Sequence, residues 1–414
     1  MANAAPSRSS SYPKEMIKVL LLENIHESAI KLFEHDGFQV ESVATALSED
    51  ELGARIEQVQ VLGIRSKTLV TAKVLGNAKR LLSLGCFCIG TNQVDLAAAN
   101  ARGVPVFNAP FSNTRSVAEM IIAEIVVLAR QIGDRSREVH AGKWRKLATQ
   151  SHEIRGKTLG IIGYGHIGRQ VGVLAEGMGM RVVFYDRTTK LSMGNNRACT
   201  TLPELLAESD FVTLHVPATR ETQNMIGAEQ LAQMKRGAYL LNASRGTVVQ
   251  IPALADAIKR GQVGGAAIDV FPEEPESNGD GFVTELQNLP NVVLTPHVGG
   301  STGEAQEAIG KEVATSLLKF VNHGTTRGAV NFPQIEMPHT PGAHRILNVH
   351  RNVPGVLRDV NHIVSSLHAN ILGQTLSTDS EIGYLVTDLE HDVSKEVCEG
   401  IASLATSIRT RILY

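Results

Sequence analysis

Three stretches in the middle of the 414-residue chain, NASRG, AIDVFPEEP and TPHVGG, each follow a short apolar run with a turn that carries charged or titratable side chains: Arg245, Asp269 with Glu274, and His297. An arginine binds a carboxylate through two parallel hydrogen bonds, and its charge polarises a neighbouring keto oxygen. A histidine accepts a hydroxyl proton while hydride leaves the adjacent carbon. A glutamate on its other ring nitrogen fixes the tautomer and stabilises the imidazolium that forms. Together these residue types fit the oxidation of a 2-hydroxy acid. Singly, each has a structural explanation: Arg245 as a capping pair, Asp269 as an N-cap, Glu274 as one of two solvated acids with Glu273, and His297 as a packed loop residue.

The segment GIIGYGHIG supplies an acceptor for that hydride. Gly163, Gly165 and Gly168 stand as G-x-G-x-x-G directly after an apolar strand and at the head of a helix. The first permits a tight turn, the second lets backbone approach a pyrophosphate, and the third lets helix pack on strand. Eighteen residues after Gly168, Asp186 ends the strand RVVFYD, where an acid accepts hydrogen bonds from ribose hydroxyls. A 2′-phosphate would be repelled there, so the expected cofactor is NAD rather than NADP. Arg187, next along the chain, acts in the opposite sense.

These loops need strands to hold them. From Met16 the chain alternates short apolar runs with helical patterns (IKVLLLE, ESAIKLFEHDG, FQVESV, SEDELGARIEQ, VQVLGIRS), a βα rhythm that implies a parallel sheet covered on both faces. After the buried helix expected at SVAEMIIAEIVVLARQ, a second series runs from KTLGIIGYG to NVVLTPHVGG. The expected fold class is α/β: two doubly wound domains, Rossmann-like and flavodoxin-like, around a hinged cleft, plus a C-terminal βαββαβ domain of ferredoxin-like type. The expected boundaries are a disordered leader over 1–15 and a discontinuous substrate-binding domain over 16–112 and 300–336. A dinucleotide-binding domain follows over 113–299, then a proline-rich linker over 337–343 and the small domain over 344–414.

Composition excludes several classes. Forty basic and 42 acidic side chains leave a net charge of −2, so no chain-wide field favours nucleic acid or an anionic membrane. The apolar run around MIIAEIVVLA is too short to span a bilayer. Four scattered cysteines lack zinc-type spacing, so no metal is expected, and reduced thiols point to a cytoplasmic protein.

Taken together, GYGHIG, HVP, NASRGTVV, AIDVFPEEP and TPHVGGST resemble the D-isomer-specific 2-hydroxyacid dehydrogenases. The likeness extends through GCFCIGTNQVDL and FNAPFSNTRSVAE to the terminal RTRILY, and is greatest to members that oxidise 3-phospho-D-glycerate and carry a C-terminal ACT domain. It implies NAD-dependent oxidation of that acid to 3-phosphohydroxypyruvate, the first step of L-serine biosynthesis, by a homotetramer inhibited by L-serine. Carried over by motif, Arg245 holds the substrate carboxylate, His297 is the acid/base and Glu274 its partner. Asp269 contacts the nicotinamide end. His166, Ile167, His215, Val216, Pro217, Ala243, Ser244, Gly299 and Gly300 line the cofactor. Arg65, Ser66 and Lys67 match substrate-phosphate positions, and Lys146 a lysine lent by a neighbouring subunit. Trp144 resembles a tryptophan inserted between nucleotide domains; otherwise it is a core anchor. His350, Asn352 and Asn370 match serine-binding positions. Gln250 departs from the pattern, standing where many members have Asp or Asn. Two alternatives stand beside this reading: a member acting on glyoxylate, hydroxypyruvate or 2-hydroxyglutarate, against which Arg65, Lys67 and the ACT tail argue, and a non-catalytic NAD-binding sensor, against which Arg245, Glu274 and His297 argue.

Overall fold

The computed structural model describes residues 13–275, 278–338, 340–390 and 393–413. Residues 1–12 of the expected leader and His339 of the expected linker lie outside the described residues. The chain forms two units, residues 1–112 with 306–414, and residues 113–305.

In the first unit, β1 (Lys18–Leu21), β2 (Gln39–Ser42), β3 (Val61–Ile64), β4 (Ser83–Cys86) and β5 (Val106–Asn108) form a parallel sheet in the order β2-β1-β3-β4-β5. β3 and β4 are buried along their whole length, as central strands of a parallel sheet covered on both faces are. The helix Gly303–His323 returns to this sheet through Val313 and Leu317. A Cβ added to Gly85 would come within 2.6 Å of Val313, so the close approach needs glycine there.

The second unit holds β6 (Thr158–Ile162), β7 (Arg181–Tyr185), β8 (Arg197–Ala198), β9 (Phe211–Leu214), β10 (Ala238–Asn242), β11 (Val263–Ile268) and β12 (Val292–Leu294). All are parallel, in the order β12-β11-β10-β9-β6-β7-β8. The order reverses between β6 and β9, and ligands of such sheets gather beyond the strand C-termini at that reversal. The helix Thr114–Arg130 buries Val117, Ile121, Ile125 and Leu128 in the core that also holds Leu159, Leu241 and Ala267 of this sheet.

The small C-terminal domain has the order β13 (His344–Arg351), helix Val356–Ser366, β14 (Ile371–Thr378), β15 (Ile382–Leu389), helix Ser394–Ala402 and β16 (Ser407–Leu413), which is βαββαβ. Its antiparallel sheet runs β14-β15-β13-β16. Alternate residues explain the continuous apolar text of β13 and β15: Ile346 and Leu385 pack with the two helices, whereas Leu347, Val349, Tyr384 and Val386 share a core with Phe107, Phe320 and Phe332 of the first domain. The segment expected as a spacer is gripped at its start. Arg345 donates to the carbonyls of Met337 and Pro338 at 3.1 and 2.6 Å while forming a buried pair with Asp388 at 2.7 Å. No helix among the described residues is long and apolar enough to cross a membrane.

Candidate active site

The glycine turn sits where β6 meets the helix His166–Gly177. Gly163 has φ +91°, and a Cβ there would lie 2.4 Å from the His215 carbonyl oxygen. A Cβ on Gly168 would lie 2.3 Å from the Gly163 carbonyl oxygen, whereas one on Gly165 would meet nothing within 4 Å. Gly165 thus leaves open space at a helix start that has no side-chain cap, the arrangement that admits a pyrophosphate. Ile167 turns inward onto the core. Asp186 follows β7 and accepts from the Tyr164 and Thr188 backbone N–H groups, each at 3.0 Å. Burial alone would raise its pKa. Hydrogen bonds from Thr188 and Tyr164 and the charge of Lys190 outweigh burial and hold it below the usual carboxylate value, so the side chain is an ionised acceptor. His215, Val216 and Pro217 follow β9. Burial drives the His215 pKa down to about 3, so its imidazole is neutral. Its Nε2 lies 3.1 Å from Thr213 Oγ1, and its buried Nδ1 has no partner among the described residues.

Beyond β10, β11 and β12, Arg245, Asp269, Glu274 and His297 come together. Asn242 ends β10 and turns its side chain back on the next loop: its Oδ1 accepts from the Ser244 N–H at 3.0 Å, and its Nδ2 donates to the Arg245 carbonyl at 3.0 Å. This clamp sets Ala243, Ser244 and Arg245. Gly246 then lies so near the following loop that an added Cβ would overlap the Phe271 carbonyl at 1.9 Å. The loop bearing Arg245 and the loop bearing Glu274 are therefore packed backbone on backbone.

Asp269 is buried, 1 % exposed, at the end of β11. Its carboxylate accepts from Thr295 Oγ1 (2.6 Å), Val298 N–H (2.8 Å) and Gly299 N–H (2.9 Å), and its carbonyl accepts from the His297 N–H at 2.8 Å. Three of its roughly four acceptor positions are thus spent on the histidine loop. That clamp holds His297 at φ +54°, a left-handed conformation unfavourable for most side chains. His297 Nδ1 meets Glu274 Oε2 at 2.8 Å, and Glu274 Oε1 accepts from the Phe271 N–H at 3.1 Å. The partner is Glu274, with Glu273 left exposed. The Glu274 hydrogen bond raises the His297 pKa above its ordinary value against the opposing effects of burial and Arg245. Burial tends to raise Glu274, but its bonds to His297 and Phe271 and the charges of His297 and Arg245 bring it below the normal range. Nδ1 is held by a carboxylate, which leaves Nε2 to exchange a proton.

In the first unit, Arg65, Ser66 and Lys67 follow β3. Buried Glu23 fixes their backbone, its Oε1 accepting from the Arg65 and Thr68 N–H groups at 3.1 and 2.9 Å and its Oε2 from Lys67 at 3.0 Å. Gln93 Nε2 donates to the Arg65 carbonyl at 2.5 Å. In the second unit Trp144 is 84 % exposed, which removes the core-anchor reading, and Lys146 beside it is exposed as well. In the small domain, His350 is buried with Nδ1 2.9 Å from Asn348 Oδ1, and Asn352 donates to the Asp379 carbonyl at 2.6 Å. Asn370 is elsewhere. Asn352 pairs beside Glu381 and Asn370 beside Glu390, opposite ends of β15, about 30 Å apart by strand rise. One chain therefore brings His350 and Asn352 to one end of the sheet and Asn370 to the other.

Sequence reasoning passed over Asn242, Gly246, Glu23 and Glu124. The last lies on the helix Thr114–Arg130, 6 % exposed, with one carboxyl oxygen unpartnered. Burial, with the charge of Asp269, pushes its pKa up to about 8, so it carries a proton at neutral pH. The one signal for it was a glutamate inside an apolar helix. For Gln250, the structure gives a local meaning: it is the N-cap of the helix Ile251–Lys259 but makes no side-chain cap bond, a task that Asp or Asn performs.

The profile of the D-isomer specific 2-hydroxyacid dehydrogenase NAD binding domain matches residues 122–299. The chain is 58% identical over 405 residues to D-3-phosphoglycerate dehydrogenase of Dictyostelium discoideum, covering 98% of this chain and 99% of that one. It is 48% identical over 407 residues to D-3-phosphoglycerate dehydrogenase of Escherichia coli K12, again over 98% and 99%. Among solved structures it is similar to the D-isomer specific 2-hydroxyacid dehydrogenase of Lactobacillus delbrueckii in its NAD complexed form. There the TM-score is 0.65 and the identity 26%, over 76% of this chain and 100% of the other. The NAD fold, the pairing of Glu274 with His297 and this end-to-end likeness agree: the chain belongs to the D-isomer specific 2-hydroxyacid dehydrogenase family, among the D-3-phosphoglycerate dehydrogenases.

Proposed function

We propose that the chain oxidises 3-phospho-D-glycerate to 3-phosphohydroxypyruvate with NAD, the first step of L-serine biosynthesis. The observation that carries this reading is the His297–Glu274 pair, held by Asp269 and set beside Arg245 at the strand ends of an NAD-binding sheet. NAD, when bound, accepts the hydride from the hydroxyl-bearing carbon. Gly163, Gly165 and Gly168 make room for its pyrophosphate and Asp186 for its ribose hydroxyls. Asp269 would contact its nicotinamide end. Arg245, whose Nη1 donates to the Ser244 carbonyl at 2.7 Å, grips the substrate carboxylate with its remaining N–H groups and polarises the carbinol oxygen. As hydride leaves, His297 Nε2 takes the hydroxyl proton, and Glu274 steadies the resulting imidazolium through Nδ1.

Arg65 and Lys67, with Ser66 between them, bind the phosphate; Glu23 holds their backbone through its carboxylate, its carbonyl accepts from Arg65 Nη1 at 3.4 Å, and Lys67 is exposed. Replacing Arg65 by alanine should raise KM for 3-phosphoglycerate by about 10²-fold, the loss of a charge-assisted contact, and change KM for unphosphorylated glycerate by less than about twofold. Equal KM values for the two acids in the intact enzyme would remove the phosphate reading.

The enzyme is a cytoplasmic homotetramer inhibited by L-serine. Exposed Trp144 inserts between nucleotide domains and Lys146 reaches a neighbouring active site. The separation of Asn370 from His350 and Asn352 supports a serine site completed by two chains, with Asn370 supplied across a two-fold axis at the β14 edge, where Leu372 and Leu376 are exposed. Serine inhibits if it binds the open and closed forms with different affinity, since only that difference shifts the population. An Asn352→Ala enzyme should keep its uninhibited rate and lose at least about tenfold in serine affinity, read from inhibition curves. An unchanged curve would contradict the assignment.

A further inference from the structure

We propose that the cleft between the first domain and the small antiparallel domain is a binding site for a small polyanion, a di- or tricarboxylate or a phosphate. The cleft has a volume of about 1160 Å³, and none of its lining residues belongs to the active site described above. Lys14 and Arg80 stand on the wall from the first domain, Arg345 and Arg411 on the wall from the small domain.

The acids present do not answer these charges. Asp36 is taken by Lys14 at 3.0 Å and by Asn322 at 2.7 Å. Asp388 is taken by Arg345 through both carboxylate oxygens, at 2.7 and 2.9 Å. Glu57, whose pKa the charge of Arg80 helps to lower, is itself paired with Lys79 at 2.9 Å. Among the described residues Arg80 and Arg411 have no ion pair. Arg411 Nη2 donates to the Val321 carbonyl at 2.9 Å, and its guanidinium carbon lies 5.5 Å from the centre of the Phe320 ring. Its Nη1 is buried and has no hydrogen-bond partner among the described residues. Arg409, two residues earlier on β16, adds a second guanidinium that donates to the Leu81 carbonyl. Loss of water lowers the pKa of both arginines to about 10, and the positive charge of Arg409 lowers that of Arg411 further.

A desolvated cation with an idle N–H group is costly, and leaving a pair of them unanswered is more so. An anion with two or more charged groups can face Arg80 from the open side and approach the guanidinium of Arg411 where that residue lines the cleft, restoring charge balance. Ile17, Leu82 and Leu413 also line the cleft and suit a short carbon skeleton between the charged ends. Such a ligand touches both domains, so its binding favours their docked arrangement.

The test is calorimetric titration of citrate, and separately of inorganic phosphate, into the full-length enzyme with its active site filled by NADH and 3-phosphoglycerate. The expected result is one anion bound per chain, with affinity reduced by about tenfold or more in Arg80→Gln and in Arg411→Gln, and with NADH affinity unchanged. The better of the two anions identifies the ligand as carboxylate or phosphate. Arg80 is exposed, so its variant keeps the fold even if the Arg411 variant does not. No binding of either anion to the intact enzyme, or equal binding to the intact enzyme and Arg80→Gln, overturns the proposal.

Discussion

Replacing His297 by asparagine is expected to lower kcat for 3-phosphoglycerate oxidation by about 10³-fold, within the 10²- to 10⁴-fold range of a positioned general base, while NADH affinity changes by less than about twofold. Asparagine is the informative replacement. Position 297 has φ +54°, and asparagine enters that left-handed region more readily than alanine does. The loop is held by bonds from Asp269 to the backbone of residues 297–299 and to Thr295, none of which uses the imidazole. The variant therefore loses its base and keeps its loop, and a melting temperature near that of the intact enzyme should accompany the loss of rate. Single-turnover rates and NADH fluorescence titration measure the two quantities.

The second large effect belongs to Arg245. Truncation to alanine should lower kcat/KM for the phosphorylated acid by about 10²- to 10³-fold, equivalent to roughly 3 to 4 kcal/mol, because a paired charge on the substrate is left without its fork. NAD affinity should stay within about threefold. A second consequence follows from electrostatics. Arg245 opposes the protonation of His297, so its removal raises the histidine pKa further and moves the acid limb of the oxidation profile to higher pH. Arg245→Lys, which keeps the charge without the planar fork, should recover the position of that limb more fully than the rate.

Much of this arrangement was legible in the residues. Periodicity exposed three sheets because buried parallel strands are apolar on both faces and the βαββαβ order of the small domain alternates cleanly with its helices. The glycine spacing and Asp186 were legible because each performs a local task within one turn or strand end. Asn242, Gly246 and Glu23 were not, since each acts on a loop that is a neighbour only once the strand order is known. An asparagine at a strand end and a glycine after an arginine carry no mark of the backbone they will meet. Trp144 could be core or surface by type alone, and 84 % exposure decides it. The EMPHTPGAH segment reads as a spacer by composition, yet Met337 and Pro338 offer carbonyls that Arg345 grips. A proline cannot donate, but its carbonyl accepts as well as any other. His350, Asn352 and Asn370 were grouped by likeness, while strand register sets the third apart from the first two.

The pH dependence of kcat/KM in a Glu274→Gln enzyme probes the central pairing most directly. Oxidation requires a neutral imidazole, so the rate falls as the pH drops through the His297 pKa, which the Glu274 carboxylate raises. Removing that carboxylate should shift the acid limb to lower pH and reduce the plateau by about tenfold or more, as the imidazolium loses its counter-charge. An acid limb at the same pH in both enzymes would show that the proton is taken by some other group.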